Sequence, residues 1–245
     1  MDVFALTDIG VCRYENQDRV QLLQFGGDSA FAVICDGMGG ENAGGVASGK
    51  AIKVISERVE NGYRDDGDDN SVRSLIIDSV KTANAVVYDI AESDEELSGM
   101  GTTCVAVLRR KNHIFCANVG DSRAYVIGDD IKQITKDHTL VMSLYENGEI
   151  TKDELRTNPK RNYLTKAVGV SEDLVPDYFE FEVDEDSLIL LCSDGLYGNI
   201  DDDVILRTVK ENHGEKIPRA LVECALINGS TDNVTAAVIF PENYT

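Results

Sequence analysis

Four aspartates stand where apolar runs end or begin. Asp36 closes AFAVIC (30–35), Asp121 follows HIFCANVG (113–120), Asp194 follows LILLCS (188–193), and Asp232 directly precedes NVTAAVIF (233–240). Three of them adjoin a glycine, and Asp-Gly is an ordinary turn pair, so any one alone reads as a turn or cap residue. Four at the ends of core strands suggest more. If those ends converge, the carboxylates share a low-dielectric rim where their repulsion is costly unless cations neutralise it. Oxygen-only donors of that kind suit Mg²⁺ or Mn²⁺ and not zinc. Near the N-terminus, Thr7-Asp8-Ile9-Gly10 leads to Arg13 and then Asn16-Gln17-Asp18. A guanidinium beside such a cluster offers a two-pronged donor for a phosphate, whereas alone it is a surface ion-pair residue.

Strands must bring these residues together. VFAL (3–6), VQLLQF (20–25) and AFAVIC (30–35) read as strands, the last apolar throughout and hence buried on both faces. Helical spacing follows in 43–60 (Ala47, Ala51, Val54, Ile55, Val59) and in 71–91 (Leu75, Ile76, Val80, Ala83, Val87, Ile90). The polar connection 63–71 predicts an N-cap at Asn70 or Ser71. Short strands are expected at 102–108, 113–119, 123–127 and 131–134, joined by hairpin-sized connections. A polar middle (136–170) carries one or two short helices. Strands return at 178–183 and 187–192, helices at 201–212 and 215–228, and a last strand at 233–240. Strands come in runs and helices in pairs, which predicts an α+β layered domain with mostly antiparallel sheets rather than βαβ alternation. With no repeat, low-complexity segment or linker, residues 1–245 are expected to form one domain.

Composition narrows the partners. The 245 residues carry 44 Asp plus Glu against 23 Lys plus Arg, a net charge of −21 that argues against gripping nucleic acid or anionic membranes. No apolar run approaches the ~18 residues of a membrane helix. The first residues lack a basic segment followed by an apolar stretch, so no signal peptide is expected. The six cysteines show no CxxC pairing and mostly sit in apolar runs, as buried reduced thiols of a cytoplasmic protein would.

Three other chemistries are weaker. GGVASGKA (44–51) satisfies GxxxxGK, but Ala51 replaces the Ser or Thr that holds Mg²⁺, and helical spacing already begins near residue 46. A cysteine phosphatase needs Cys-x5-Arg, and Arg123 lies one residue too far from Cys116. RDDGDDN (64–70) resembles a calcium loop in composition only.

The blocks TDIGVCRYENQD (7–18), AVICDGMGGENAGGVAS (32–48), GMGTTCVAVL (99–108), NVGDSRAY (118–125), TKDH (135–138), LLCSDGLYGNI (190–200) and STDNVTAAV (230–238) occur in the order seen in bacterial type 2C protein phosphatases. The chain resembles that family from about residue 3 to 240, most specifically in DGMGG, SDGL and the closing DN. The resemblance implies a four-layer α/β/β/α sandwich of two packed antiparallel sheets flanked by helix pairs, and metal-dependent hydrolysis of phosphoserine and phosphothreonine. It implies that Asp36 bridges two divalent cations, Mn²⁺ or Mg²⁺, with the Gly37 carbonyl on the second and Asp194 and Asp232 on the first. Asp18 matches the acid that holds a metal-bound water. Asp121 matches the residue that supports a third, weaker cation with Asp194, and Arg13 the arginine that binds the substrate phosphate. Two cations ~4 Å apart would supply a hydroxide for in-line attack on phosphorus, with no phosphoenzyme. The implied partners are phosphorylated Ser/Thr proteins and a cognate cytoplasmic Ser/Thr kinase, the implied state a monomer. An inactive relative that binds phosphoproteins would lack a ligand or the arginine, and here all are present.

The chain departs from the family at two positions. Met38 stands where some members carry a His proposed as general acid, so the group that protonates the leaving alkoxide stays open, with a metal-ordered water as the expectation. Gly45 stands where many bacterial members carry an acid. His138 is expected to be structural, and segment 140–168 corresponds to the family's flap, with Lys160 and Arg161 as its basic pair.

Overall fold

Two fully antiparallel sheets lie face to face, each covered outside by helices. The computed structural model describes residues 1–26, 28–40 and 43–241. In chain order the elements are β1 (Val3–Asp8), β2 (Asp18–Gln24), β3 (Ser29–Met38), α1 (Ala43–Gly62), α2 (Asp69–Ser93), β4 (Gly101–Thr102), β5 (Cys104–Arg110), β6 (His113–Val119), β7 (Arg123–Ile127), β8 (Ile131–Gln133), α3 (Leu140–Glu146), α4 (Glu154–Thr157), β9 (Asp177–Glu182), β10 (Leu188–Cys192), α5 (Asp194–Tyr197), α6 (Asp202–Lys210), α7 (Lys216–Ile227) and β11 (Val234–Ile239). One sheet has the order β1-β11-β10-β7-β8. The other runs β2-β3-β5-β6-β9, with β4 paired to the end of β3.

The layers follow from alternation in strands that are apolar on both faces. In β3, Phe31, Val33 and Cys35 pack against α1 and α2, while Ala30, Ala32 and Ile34 face the other sheet. In β10, Leu188, Leu190 and Cys192 meet α5, α6 and α7, and Ile189 and Leu191 join the core between the sheets. The four-layer sandwich therefore has three apolar layers, one between the sheets and one under the helices on each side.

Element positions match the sequence reading closely, with local corrections. α2 begins earlier than expected: its N-cap is Asp68, which accepts from the Ser71 N–H, and not Asn70 or Ser71. The expected strand 102–108 is split at Thr103 into β4 and β5, with Thr102 paired to Gly37 on one side and bridged to Val168 on the other. The P-loop candidate 44–51 lies wholly within α1. Cys116 is fully buried between the sheets, where it has no access to a substrate. All six cysteines are free. Four are buried, but Cys12 is exposed and Cys224 half-buried. No helix among the described residues is long and apolar enough to cross a membrane.

Register places the functional ends together. Asp18 pairs directly with Asp36 across β2 and β3. Ile34 opposite Val105 and Cys104 opposite Val119 carry Asp36 toward Thr103 and the 120–121 turn. In the other sheet, Cys192 opposite both Arg123 and Ala236 sets Asp194 beside the residues that precede β7 and β11.

Candidate metal and phosphate site

All five aspartates expected at the site converge on one end of the sandwich. Asp36 lies near the end of β3, its backbone held by three bonds. Its N–H donates to Thr103 Oγ1 at 3.0 Å, and its carbonyl accepts from the Thr103 N–H and the Thr102 hydroxyl, both at 2.8 Å. Burial, then the charges of Asp18, Asp194, Asp121 and Asp232, push its carboxyl well above the usual range. Asp194, the first residue of α5, is raised for the same reason, first by burial and then by Asp121, Asp232 and Asp18. Carboxylates that raise one another this way favour any cation set among them.

Asp18 is buried, and both of its hydrogen bonds fall on one oxygen. Ser193 and Thr235 each donate a hydroxyl to Oδ2, at 2.7 and 2.6 Å. Ser193 precedes α5 but spends its hydroxyl on Asp18 instead of capping that helix. Because Thr235 gives its one hydroxyl proton to Asp18, Thr7, at 2.7 Å behind it and itself accepting from Asn16 Nδ2, donates to Thr235. The other oxygen, Asp18 Oδ1, is buried without a partner, as is Asp194 Oδ1. Unpartnered buried carboxylate oxygens are costly, and a hard cation together with its bound water answers both. The residues fit divalent metal.

Asp121 is buried in the turn after β6. Burial and Asp137 push its carboxyl up to about 6 against the opposing pull of Arg123 and Tyr197. Arg123 holds Asp137 with Nε and Nη2 and lies 3.6 Å from the Tyr197 ring centre, forming a rigid floor beneath Asp121. Arg13 sits at the rim, about half exposed, and its Nη2 donates to Asp232 Oδ2 at 2.6 Å. Gly37 makes a close approach to the start of α1, where a Cβ would lie 2.1 Å from the Gly44 carbonyl oxygen.

The remaining expectations resolve locally. His138 is structural: its Nδ1 accepts from the Gly120 N–H at 3.0 Å and its Nε2 faces Asp177, while Thr139 caps α3. Segment 140–168 contains α3 and α4 and is tied to α5 by Arg156, which donates to the Tyr197 carbonyl and pairs with Asp201. Lys160 and Arg161 are exposed. At Gly45 a Cβ would meet Glu15 Oε1 at 2.7 Å, so a carboxylate from the Arg13 loop occupies the space beside this position. The sequence assigns no role to Thr102, Thr103, Ser193, Thr235 or Asn233; Ser193 and Asn233 adjoin Asp194 and Asp232, while the threonines carry no cue of their own. Among the described residues, the three donors gathered within 4.8 Å of one another are instead Asp69, His113 and Glu180. They lie at the opposite end of β6 from Asp121, where Arg110 already neutralises Asp69.

Residues 14–217 match the family model described as Protein phosphatase 2C. The chain belongs to that family. It is 31% identical over 240 residues to the serine/threonine phosphatase stp of Listeria innocua, covering 95% of this chain and 93% of that one. The crystal structure of the serine/threonine phosphatase Stp1 from Staphylococcus aureus superposes with a TM-score of 0.92 at 37% identity, covering 99% of this chain and 95% of that one. The catalytic domain of the serine/threonine protein phosphatase PstP, solved in complex with 2 manganese ions, does so with a TM-score of 0.83 at 31% identity, covering 97% and 96%. This type 2C enzyme is a serine/threonine protein phosphatase that works with divalent metal ions.

Proposed function

We propose that Asp36, Gly37, Asp194 and Asp232 hold two divalent cations, Mn²⁺ or Mg²⁺, and that Asp121 with Asp194 supports a third, weaker one. The observation that supports this most is the unpartnered buried Oδ1 of Asp194 within a ring of carboxylates that raise one another. When bound, the cations neutralise the ring and supply an activated water for attack on phosphorus. Asp18, fixed on Oδ2 by two hydroxyls, turns its free Oδ1 to accept a hydrogen bond from water in the site. Arg13 exchanges its partner Asp232 for the phosphate, which it grips with two N–H donors as charge builds on the equatorial oxygens. Met38 offers no proton, so water protonates the departing Ser or Thr alkoxide.

The substrates are phosphoserine and phosphothreonine proteins made by a Ser/Thr kinase, met by a monomeric single-domain enzyme in the cytoplasm. A chain of net charge −21 repels acidic targets, so good substrates carry basic residues near the phosphate. Calorimetric titration of Mn²⁺ into metal-stripped protein is expected to show at least two sites, and Asp36→Asn to remove the tight ones. Unchanged binding in Asp36→Asn contradicts the assignment. Equal efficiency on basic and acidic phosphopeptides at low salt contradicts the substrate preference.

A further inference from the structure

The loop that carries Arg13 joins β1 of one sheet to β2 of the other, and residues 11–15 on it are exposed. One buried side chain beneath it takes up its backbone polar groups. Asn233 Nδ2 donates to the Ile9 carbonyl at 2.8 Å and to the Glu15 carbonyl at 3.1 Å, while Oδ1 accepts the Gln17 N–H at 2.8 Å. Two acceptors on one side and a donor on the other fix the orientation of the amide. Arg13 lies between these attachment points. Asn233 also follows Asp232, whose Oδ1 accepts the Asn233 N–H at 2.8 Å while Oδ2 pairs with Arg13.

A second feature presses the same loop down. Gly10 has φ +75°, and a Cβ there would lie 2.3 Å from the Asp232 carbonyl oxygen, so only glycine permits this approach.

We infer that Asn233 is a positioning residue for phosphate recognition: its amide clips loop 9–17 to the start of β11 and thereby holds Arg13 over the aspartate ring. The inference rests on the reading of Arg13 as the phosphate ligand. Only an amide suits the position. A carboxylate would still accept from Gln17 but would set an anion against two carbonyls. An apolar side chain would leave two carbonyls and an N–H unpaired beneath the loop. Losing the clip frees the arginine without removing it, so the cost falls on phosphate binding ahead of metal binding.

The test uses the Mn²⁺-loaded enzyme. KM for a phosphothreonine peptide and Ki for inorganic phosphate are measured for wild type, Arg13→Ala, Asn233→Ala, Asn233→Asp and the Arg13→Ala/Asn233→Ala double variant. Mn²⁺ affinity is measured separately by calorimetry. Both Asn233 variants are expected to raise KM and Ki roughly 10- to 100-fold, the loss of two or three hydrogen bonds, with a much smaller change in Mn²⁺ affinity. The double variant is expected to be no worse than Arg13→Ala alone. Losses that multiply in the double variant, or that follow Mn²⁺ affinity alone, overturn the inference. Arg13→Ala with unchanged KM and Ki instead overturns the Arg13 reading beneath it. If the Asn233 variants do not fold, hydrogen exchange in the wild-type holoenzyme decides. The Gln17 amide is expected to exchange at least about 100-fold more slowly than those of Tyr14 and Glu15, and equal rates overturn the clip.

Discussion

Replacing Thr235 by valine isolates one hydrogen bond in the support of Asp18. Thr235 is fully buried in β11, and valine has nearly its shape, so no cavity forms. What disappears is the 2.6 Å donation to Asp18 Oδ2, leaving that oxygen with Ser193 alone. A hydrogen bond to a buried charged group contributes about 1.5–3 kcal/mol. Thr7, which donates to Thr235, is exposed and can turn its hydroxyl to water, so its loss of partner adds little. The expected destabilisation is therefore about 2 kcal/mol. With a urea slope of about 2–3 kcal/mol/M, the unfolding midpoint falls by about 0.7–1 M. The assay is urea unfolding of chelator-treated protein at pH 8, followed by circular dichroism, with Thr7→Val as control at under about 0.5 kcal/mol. In the same variant Mn²⁺ affinity is expected to fall about 10-fold or more, because a group orienting the site is lost. A midpoint within about 0.2 M of wild type, or an equal loss in Thr7→Val, would refute the account of how Asp18 is held.

Other outcomes follow from local geometry. Gly49 lies inside α1, and a Cβ there would find nothing within 4 Å, so Gly49→Ala is expected to stabilise by about 0.5–1 kcal/mol, read as a raised Tm. Burial holds the His138 imidazole below its ordinary range, against the opposing pull of Asp177. The unfolded chain therefore takes the proton first, so this contribution is complete above about pH 6.5 and is lost as pH falls below it. Urea midpoints measured from pH 8 to 5 should show that slope flattened in His138→Asn, and an identical slope would count against it. Because Glu15 Oε1 lies 2.7 Å from where a Cβ at position 45 would sit, Gly45→Glu sets two carboxylates together. Its kcat/KM should fall roughly 3- to 10-fold and recover when Glu15→Ala is added, a coupling that additive losses would exclude.

The layers were legible because AFAVIC and LILLC are apolar at every position, too short for core helices and bounded by Asp-Gly turn signals, the pattern of a strand buried on both faces. The aspartates were legible because each punctuates such a run, and the order of the blocks assigned them roles. Their support was not. Thr235 lies in a strand where threonine is already favoured, so no sequence cue separates a donor to Asp18 from an ordinary strand residue. Ser193 before a helix reads as a cap, yet its hydroxyl serves an acid 175 residues away. Asp68 displaced Asn70 and Ser71 as the cap of α2 because several residues in 63–71 could end the loop, and only packing selects one. Asn233 was visible as half of a motif, while its three partners lie more than 200 residues away and come together only in the fold.

The most direct test is hydrolysis of a phosphothreonine peptide as Mn²⁺ is titrated into metal-stripped protein, with Asp194→Ala measured alongside. The account predicts turnover that is absent without metal, rises to saturation with Mn²⁺ and disappears in the variant, which remains folded. Turnover by the metal-stripped enzyme, or by Asp194→Ala at the wild-type rate, would contradict it.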